Sequence, residues 1–332
     1  MTIRIGIAGY GNLGRGVELA VAGSPDMKVT GVFTRRNPET VVAQLDSTRV
    51  FSWASLLEGR DDVDVLILCG GSKTDLPEQG PQLARIYNTV DSFDTHAQVP
   101  QYFSIVDDAA QAGGNVALIA TGWDPGLFSI NRVMAEAVVP TGATYTFWGR
   151  GLSQGHSDAV RRVAGVAGGV QYTIPAEDVL DAVRAGEQPK LSAAQRHRRE
   201  CYVVLEPGAD PDVVSAEIKN MPHYFADYDT EVHFISAEEL ARDHATMPHG
   251  GTVLRSGVTG SVEGTHLENS QVVEYTLKLG HNPQFTSSVL VAYARAVHRM
   301  AQAGEAGAKT VFDVAPGLIS PKSPAELRRD YL

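Results

Sequence analysis

The sequence predicts an α/β chain in which an N-terminal doubly wound parallel sheet is joined to a second, α+β domain containing a mixed sheet. Three observations carry that prediction. Strand-like apolar runs alternate with helical spacings through residues 1–120. The first of these runs feeds a glycine triplet that opens a helix. From about Tyr145 the runs become richer in β-branched and aromatic residues, as an antiparallel or mixed sheet requires.

The first strand is Arg4 to Ala8, and Gly9-Tyr10-Gly11-Asn12-Leu13-Gly14 follows it as G-x-G-x-x-G. Gly9 permits the tight turn, Gly11 lets a pyrophosphate approach bare backbone, and Gly14 lets the helix carrying Val17-Glu18-Leu19-Ala20 pack closely on the strand. The helix start then offers free N–H groups to phosphate. This is the opening of a Rossmann unit that binds a dinucleotide. The second strand, Val29 to Thr34, ends about twenty residues on, where an NAD site would carry Asp or Glu for the ribose 2′-hydroxyl. Thr34-Arg35-Arg36 stands there instead, and guanidinium forks suit a 2′-phosphate, which favours NADP(H).

Asp64 to Cys69 is a continuous apolar run ending in Gly70-Gly71-Ser72, and Tyr87 to Val90 closes at Asp91-Ser92-Phe93-Asp94. Residues 99–112 have helical spacing through Phe103, Val106 and Ala110, with Gly113-Gly114 as the stop. Val116 to Ala120 leads into Thr121-Gly122-Trp123-Asp124-Pro125-Gly126. Functional residues of such sheets gather beyond the carboxyl ends of the strands, so these loops are expected to open onto one crevice. In the second half, strands are expected at Tyr145–Trp148, Val170–Ile174, Cys201–Leu205, Glu231–Ile235 and Val272–Leu279. Residues 284–302 read as a helix through Val289, Ala292, Tyr293, Ala296 and Met300, apolar enough to return to the first domain. Ala301 to Gly307 reads as a flexible connection. The expected domains are 1–120, with the region near 284–332 returning to it, and 121–283 for substrate binding and dimerisation.

With 28 basic and 39 acidic residues the formal charge is −11, which argues against a nucleic-acid or membrane-surface role. No apolar stretch approaches the ~20 residues of a membrane span, and no basic or apolar leader precedes the first strand, so a cytoplasmic protein is expected. Two cysteines, Cys69 and Cys201, support neither a disulfide framework nor a four-thiolate metal site, and no metal is expected. Cys69 reads as a packed thiol at a strand end.

Asp94 and Asp124 both fall at strand ends on the nicotinamide side, where two carboxylates would bind an ammonium group and accept its proton; both also suit turns. Further on, Arg199 abuts a strand, Thr173 lies inside one, His249 stands between Pro248 and Gly250-Gly251, and Asn282 precedes Pro283 in a turn. Each alone has an ordinary structural explanation. Together they supply the donors that an amino-acid end group needs.

The strings GYGNLGRGVE at 9–18, TRR at 34–36, ATGWDPGLFSINRV at 120–133, FWGRGLSQGHSDAVRR at 147–162, VQYTIP at 170–175 and TMPHGG at 246–251 carry a resemblance over nearly the whole chain. They resemble the meso-diaminopimelate D-dehydrogenases, NADPH-dependent bacterial enzymes of lysine and cell-wall precursor synthesis. The resemblance implies a homodimer and reversible oxidative deamination at the D-centre of meso-2,6-diaminopimelate. Ammonia is released, NADP+ is reduced, and L-2-amino-6-oxopimelate forms, which cyclises to tetrahydrodipicolinate. By motif, Tyr10 to Leu13, Thr34 to Arg36, Cys69 to Ser72, Ser92 to Asp94 and Thr121 to Pro125 would contact cofactor. Asp94 and Asp124 would hold the reacting amino group, with Trp123 and Trp148 as walls and Ser153, Gln154 and Gly155 beside the reacting end. Thr173, Arg199 and His249 would hold the distal carboxylate, and Asn282 would add a polar contact. The stretch from Gly257 to Asn269 departs from the pattern as a longer, more acidic loop.

Two other readings use the same residues. Another two-domain NADPH-dependent reductase, of the dihydrodipicolinate or sugar-aldehyde kind, is one; a sugar reductase is expected to carry a lysine acid, and the loops around Trp123 and His249 contain none. A non-catalytic NADPH-binding regulator is the other, and it would need no acidic pair.

Overall fold

The computed structural model describes residues 2–332 apart from 223, 262 and 264–266. It divides into two compact units, 1–130 with 283–332, and 131–282. Fourteen strands are present among the described residues: β1 Ile3–Ala8, β2 Met27–Thr34, β3 Val50–Ser52, β4 Val65–Leu68, β5 Thr89–Asp91, β6 Val116–Leu118, β7 Thr141–Trp148, β8 Gly151–Leu152, β9 Val166–Pro175, β10 His197–Leu205, β11 Thr230–Phe234, β12 His249–Thr259, β13 Asn269–Leu279 and β14 Gly307–Lys309.

The first unit is a seven-stranded sheet in the order β14-β6-β5-β4-β1-β2-β3. Every neighbouring pair is parallel. Side chains alternate across it, as the two-residue strand period demands. Ile5, Ile7, Val65 and Ile67 enter one core with Leu290, Tyr293, Ala294 and Val297 of the helix Asn282–Gln302. Leu66, Leu68, Phe33 and Ala117 enter the other with Leu83, Tyr102, Val106 and Ala110. Both faces are therefore covered, which is why these strands read as unbroken apolar runs. The helix at 99–113 stops at Gly114, whose φ of +65° is left-handed.

The second unit holds two sheets. One is four-stranded, β11-β10-β9-β8, parallel between β10 and β11 and antiparallel elsewhere. The other is three-stranded and antiparallel, β13-β12-β7. Val160, Cys201, Val203, Val214 and Ile218 form the core beneath the first, and Tyr145, Phe147, Leu180, Val183 and Leu254 the core beneath the second.

Several expectations need correction. Residues 121–130 stay with the first unit, because the Thr121 N–H donates to the Asp91 carbonyl at 2.9 Å and Leu127 and Ile130 pack against the first unit's core. Asn282 begins a 21-residue helix instead of sitting in a turn, and His249 begins the eleven-residue strand β12. The expected loop from Gly257 to Asn269 is shortened by that strand, which runs to Thr259; residues 262 and 264–266 within it lie outside the described residues. Gly307 starts the edge strand β14, paired with β6, so the supposed flexible connection ends in the sheet. Strands β3 and β8 carry three and two residues, too few for a periodic signal.

Candidate active site

The glycine loop is built as its residue types require. Gly9 has φ +95°. Gly11 has no atom within 4 Å of where a Cβ would stand, so its backbone lies open to a ligand. A Cβ on Gly14 would overlap the Gly9 carbonyl oxygen. Gly11 caps the helix Asn12–Ala22 with no side-chain hydrogen bond, which leaves room for an anion at that end. Asn12 is exposed and Leu13 half-buried.

A cavity of about 290 Å³ adjoins this loop, lined by Gly9, Tyr10 and Gly11, by Thr34, Arg35 and Arg36, and by Cys69 and Gly70. Trp53, Asp75 and Gln79 complete the lining. These three were not singled out from the sequence. Trp53 follows β3, which gives no pattern of its own, and Asp75 reads as an ordinary helix-opening acid. The cations are held in place. Arg35 pairs with Asp75 at 2.6 Å, and the Arg36 guanidinium donates to the Tyr10 carbonyl at 2.7 Å. The Gly71 N–H and the Arg35 pairing hold the Asp75 carboxyl below its usual range despite desolvation. Tyr10 bonds the buried Glu18, and desolvation first, then that bond, pushes its hydroxyl up to about 12. Glu18 also accepts the Gln44 and Leu45 N–H groups, tying the segment before β3 to the glycine loop. Cys69 is half-buried just past β4, and desolvation raises its thiol, as suits an inert packing group.

At the carboxyl ends of β4, β5 and β6 three loops converge. The Asp94 N–H donates to Ser72 Oγ at 2.9 Å, and Ser72 Oγ meets Thr95 Oγ1 at 3.1 Å. The Asp94 side chain is exposed and Ser92 is half-buried, whereas Phe93 is buried and stacks on Tyr102 with centroids 4.1 Å apart. The neighbouring loop holds Thr121, Gly122 and Trp123 buried and Asp124 and Pro125 half-buried, with the Asp124–Pro125 bond cis. Bridges between Gly122 and Gly126 and between Trp123 and Gly126 fold it on itself. These two loops belong to adjacent strands, so the expected acid pair stands at one end of one sheet.

The second unit gathers the other residues. Arg199 on β10 faces Thr173 on β9, and Thr173 faces Gly151 on β8. The Arg199 guanidinium donates to Thr173 Oγ1 and lies 4.1 Å over the Tyr228 ring. Arg199 is 7% exposed, and among the described residues its Nε has no partner. Desolvation lowers its pKa, partly offset by Tyr228. Tyr228 was not anticipated, since it lies far in sequence from any motif. A Cβ on Gly151 would stand 2.5 Å from the His249 ring, and the Leu152 N–H donates to the Pro248 carbonyl at 2.8 Å. Gln154 Nε2 reaches Met247 Sδ at 3.2 Å, and the Asn282 N–H reaches the Met247 carbonyl at 2.8 Å. Ser153 Oγ bonds His156 Nδ1 at 2.8 Å, and Gly155 is exposed with nothing near its Cβ position. Trp148 stacks on His197 with centroids 5.3 Å apart and donates its main-chain N–H to His197 Nε2 at 2.8 Å. Segment 247–249 thus ties Gly151, Gln154 and Asn282 to the Thr173–Arg199 pair.

The profile of the diaminopimelic acid dehydrogenase C-terminal domain matches residues 122–281. The chain is 58% identical over 330 residues to a meso-diaminopimelate D-dehydrogenase of Ureibacillus thermosphaericus, covering 99% of each. Over 326 residues it is 49% identical to that of Corynebacterium glutamicum, covering 98% of each. The chain belongs to the meso-diaminopimelate D-dehydrogenase family. As a member it is an oxidoreductase. Among solved structures of this dehydrogenase family, that of C. glutamicum in complex with DAP is 48% identical with a TM-score of 0.88, each chain covered in full. An engineered D-amino acid dehydrogenase bound to NADP+ is 46% identical with a TM-score of 0.84, again at full coverage. No helix among the described residues is long and apolar enough to cross a membrane.

Proposed function

We propose that this dehydrogenase oxidatively deaminates the D-centre of meso-2,6-diaminopimelate with NADP+, within lysine and peptidoglycan precursor synthesis. The observation that carries the proposal is the buried Arg199, whose guanidinium bonds the Thr173 hydroxyl while its Nε has no partner among the described residues. A buried cation without a carboxylate is costly, and a substrate carrying a second carboxylate at its far end would relieve it.

The cofactor fits the residues present. Gly9 to Gly14 would receive the pyrophosphate, and Thr34, Arg35 and Arg36 the 2′-phosphate, with Asp75 and the Tyr10 carbonyl pre-orienting the two guanidiniums. Cys69 to Ser72, Ser92 to Asp94 and Thr121 to Pro125 would flank the nicotinamide end. Bound NADP+ supplies the hydride acceptor. The protein's own task is to present a neutral amine, because an ammonium has no lone pair to support the electron-poor carbon left by hydride loss. Asp94 and Asp124 would bind the ammonium and take its proton, and water then adds at that carbon to release ammonia. Trp123 and Trp148 would each meet the substrate, as would Ser153, Gln154 and Gly155 at its reacting end. Thr173, Arg199, His249 and Asn282 would fix the L-centre, so that binding energy selects which end reacts.

A homodimer is part of the proposal. Val133, Met134 and Val138 of the helix Leu127–Val138 are exposed apolar side chains that a second copy of the chain would cover. The reaction itself is tested by mixing purified protein with NADP+ and resolved stereoisomers at alkaline pH. A rise at 340 nm (the NADPH band) is expected with the meso isomer and none with the L,L isomer. Equal rates with both would remove the proposal.

A further inference from the structure

We infer that the buried carboxylate of Asp91 is a positioning residue that sets the Asp94 loop and the Trp123-Asp124 loop relative to one another. The inference rests on the proposed function in that it takes Asp94 and Asp124 as the reacting acids. Asp91 is the last residue of β5 and is 2% exposed. Its Oδ1 accepts the Phe93 N–H at 2.9 Å and the Ala120 N–H at 3.1 Å, and its main-chain carbonyl accepts the Thr121 N–H at 2.9 Å. One residue therefore fixes the backbone of both loops just ahead of their acids.

Two further features belong to the same device. Ala120 has φ +52°, the left-handed region that an alanine enters only where its surroundings over-determine it. The bond from its N–H to Asp91 is one such constraint. Tyr102, from the helix Val99–Gly113, donates its hydroxyl to Asp91 Oδ2 at 2.7 Å while its ring lies flat on Phe93, so it grips the first loop twice. It reaches that position because residue 80 of the adjoining helix Leu76–Ala84 is glycine; a Cβ there would collide with the hydroxyl.

A carboxylate suits this place better than an amide. It is acceptor-only, and its oxygens meet two N–H groups and one O–H with no donor left over. An asparagine keeps one oxygen for the two N–H groups but turns an NH2 toward Tyr102, which reverses that bond: the hydroxyl must accept instead of donate, and its own proton loses this acceptor. Burial raises the Asp91 carboxyl to about 6, against the hydrogen bonds of Tyr102, Phe93 and Ala120, which favour the ionised form. Among the described residues Tyr102 is the one titratable side chain bonded to it; its other partners are backbone groups, and Gly80 brings no charge. Loop alignment should therefore weaken as the carboxyl is protonated.

The full-length enzyme is assayed with NADP+ and meso-diaminopimelate from pH 5 to 9 as wild type, Asp91→Asn, Tyr102→Phe, Asp94→Ala and Asp124→Ala, with NADP+ binding and thermal unfolding measured on each. Asp91→Asn is expected to lower kcat by about tenfold or more. Its NADP+ KM and dissociation constant should stay within about twofold, and its melting temperature at pH 8 should not fall. The acid limb due to Asp91 should disappear in Asp91→Asn and move to higher pH in Tyr102→Phe, which loses a bond favouring the ionised form. Unchanged kcat in Asp91→Asn, a loss that only parallels falling stability, or an unmoved limb in Tyr102→Phe would overturn the inference. Full turnover in both Asp94→Ala and Asp124→Ala would instead overturn the acid-pair reading beneath it, and that outcome is separate from any of the others.

Discussion

Arg199→Met is expected to stabilise the unliganded protein while damaging turnover of the proposed substrate. Arg199 is 7% exposed, and among the described residues its Nε is buried without a partner, while the guanidinium meets a hydroxyl and an aromatic face. Desolvation depresses its pKa, and no carboxylate contributes to holding it up. Replacing an uncompensated buried charge by an apolar side chain of similar volume is expected to add about 1–3 kcal/mol to the unfolding free energy. The same change removes the partner of a desolvated substrate carboxylate, a loss of about 3 kcal/mol or more, which is two to three powers of ten in kcat/KM. The assay pairs meso-diaminopimelate with a D-amino acid of similar length that lacks the far carboxylate. The first should lose the full factor and the second little, while urea or thermal unfolding shows a firmer fold. Equal losses on both substrates, or a lower melting temperature with the selective loss absent, would refute the reasoning.

Other outcomes follow from the same geometry. Asp124→Ala should lower turnover on every amino-acid substrate by about 100-fold, as loss of a general base does, and steady-state kinetics on two substrates checks it. Arg35→Ala with Arg36→Ala should raise the NADPH Michaelis constant by about tenfold or more while barely changing that for NADH, since only the phosphate loses its forks. Asp91 gives a signed pH effect on stability. Its carboxyl is raised from 3.8 to about 6 in the folded protein, so the native state keeps a proton that the unfolded chain has released. That contribution is fully present below the unfolded value and is lost as pH rises through about 6, by about 3 kcal/mol at most. Denaturant unfolding between pH 4 and 7.5 should show the loss, and Asp91→Asn should flatten it; an equally steep curve in the variant would contradict it.

Much of the first sheet was legible because a strand buried on both faces leaves an unbroken apolar run, as in Val65–Leu68. The glycine loop was legible for a different reason: backbone conformation and close approach leave few residue types to choose from, and Gly9 and Gly14 occupy such positions. The hidden parts share a cause. Trp53 lines the cavity just after a three-residue strand with no period, and Tyr228 lies against Arg199 from a turn with no motif. Asp91 looked like the end of a strand, and nothing local marks it as the acceptor for Ala120 and Tyr102.

The amino-acid order alone determined where the glycine turn falls, which cations follow the second strand, and which acids follow the fifth and sixth. Each is a local matter, decided by steric room, charge or period within a few residues. The pairing of Arg199 with Thr173, the docking of His249 against Gly151 and the buried clasp on Asp91 required the folded chain. They join residues whose separation along the chain carries no signal: strand register brings Arg199 to Thr173, and the packing of separate elements brings His249 to Gly151 and Ala120 and Tyr102 to Asp91.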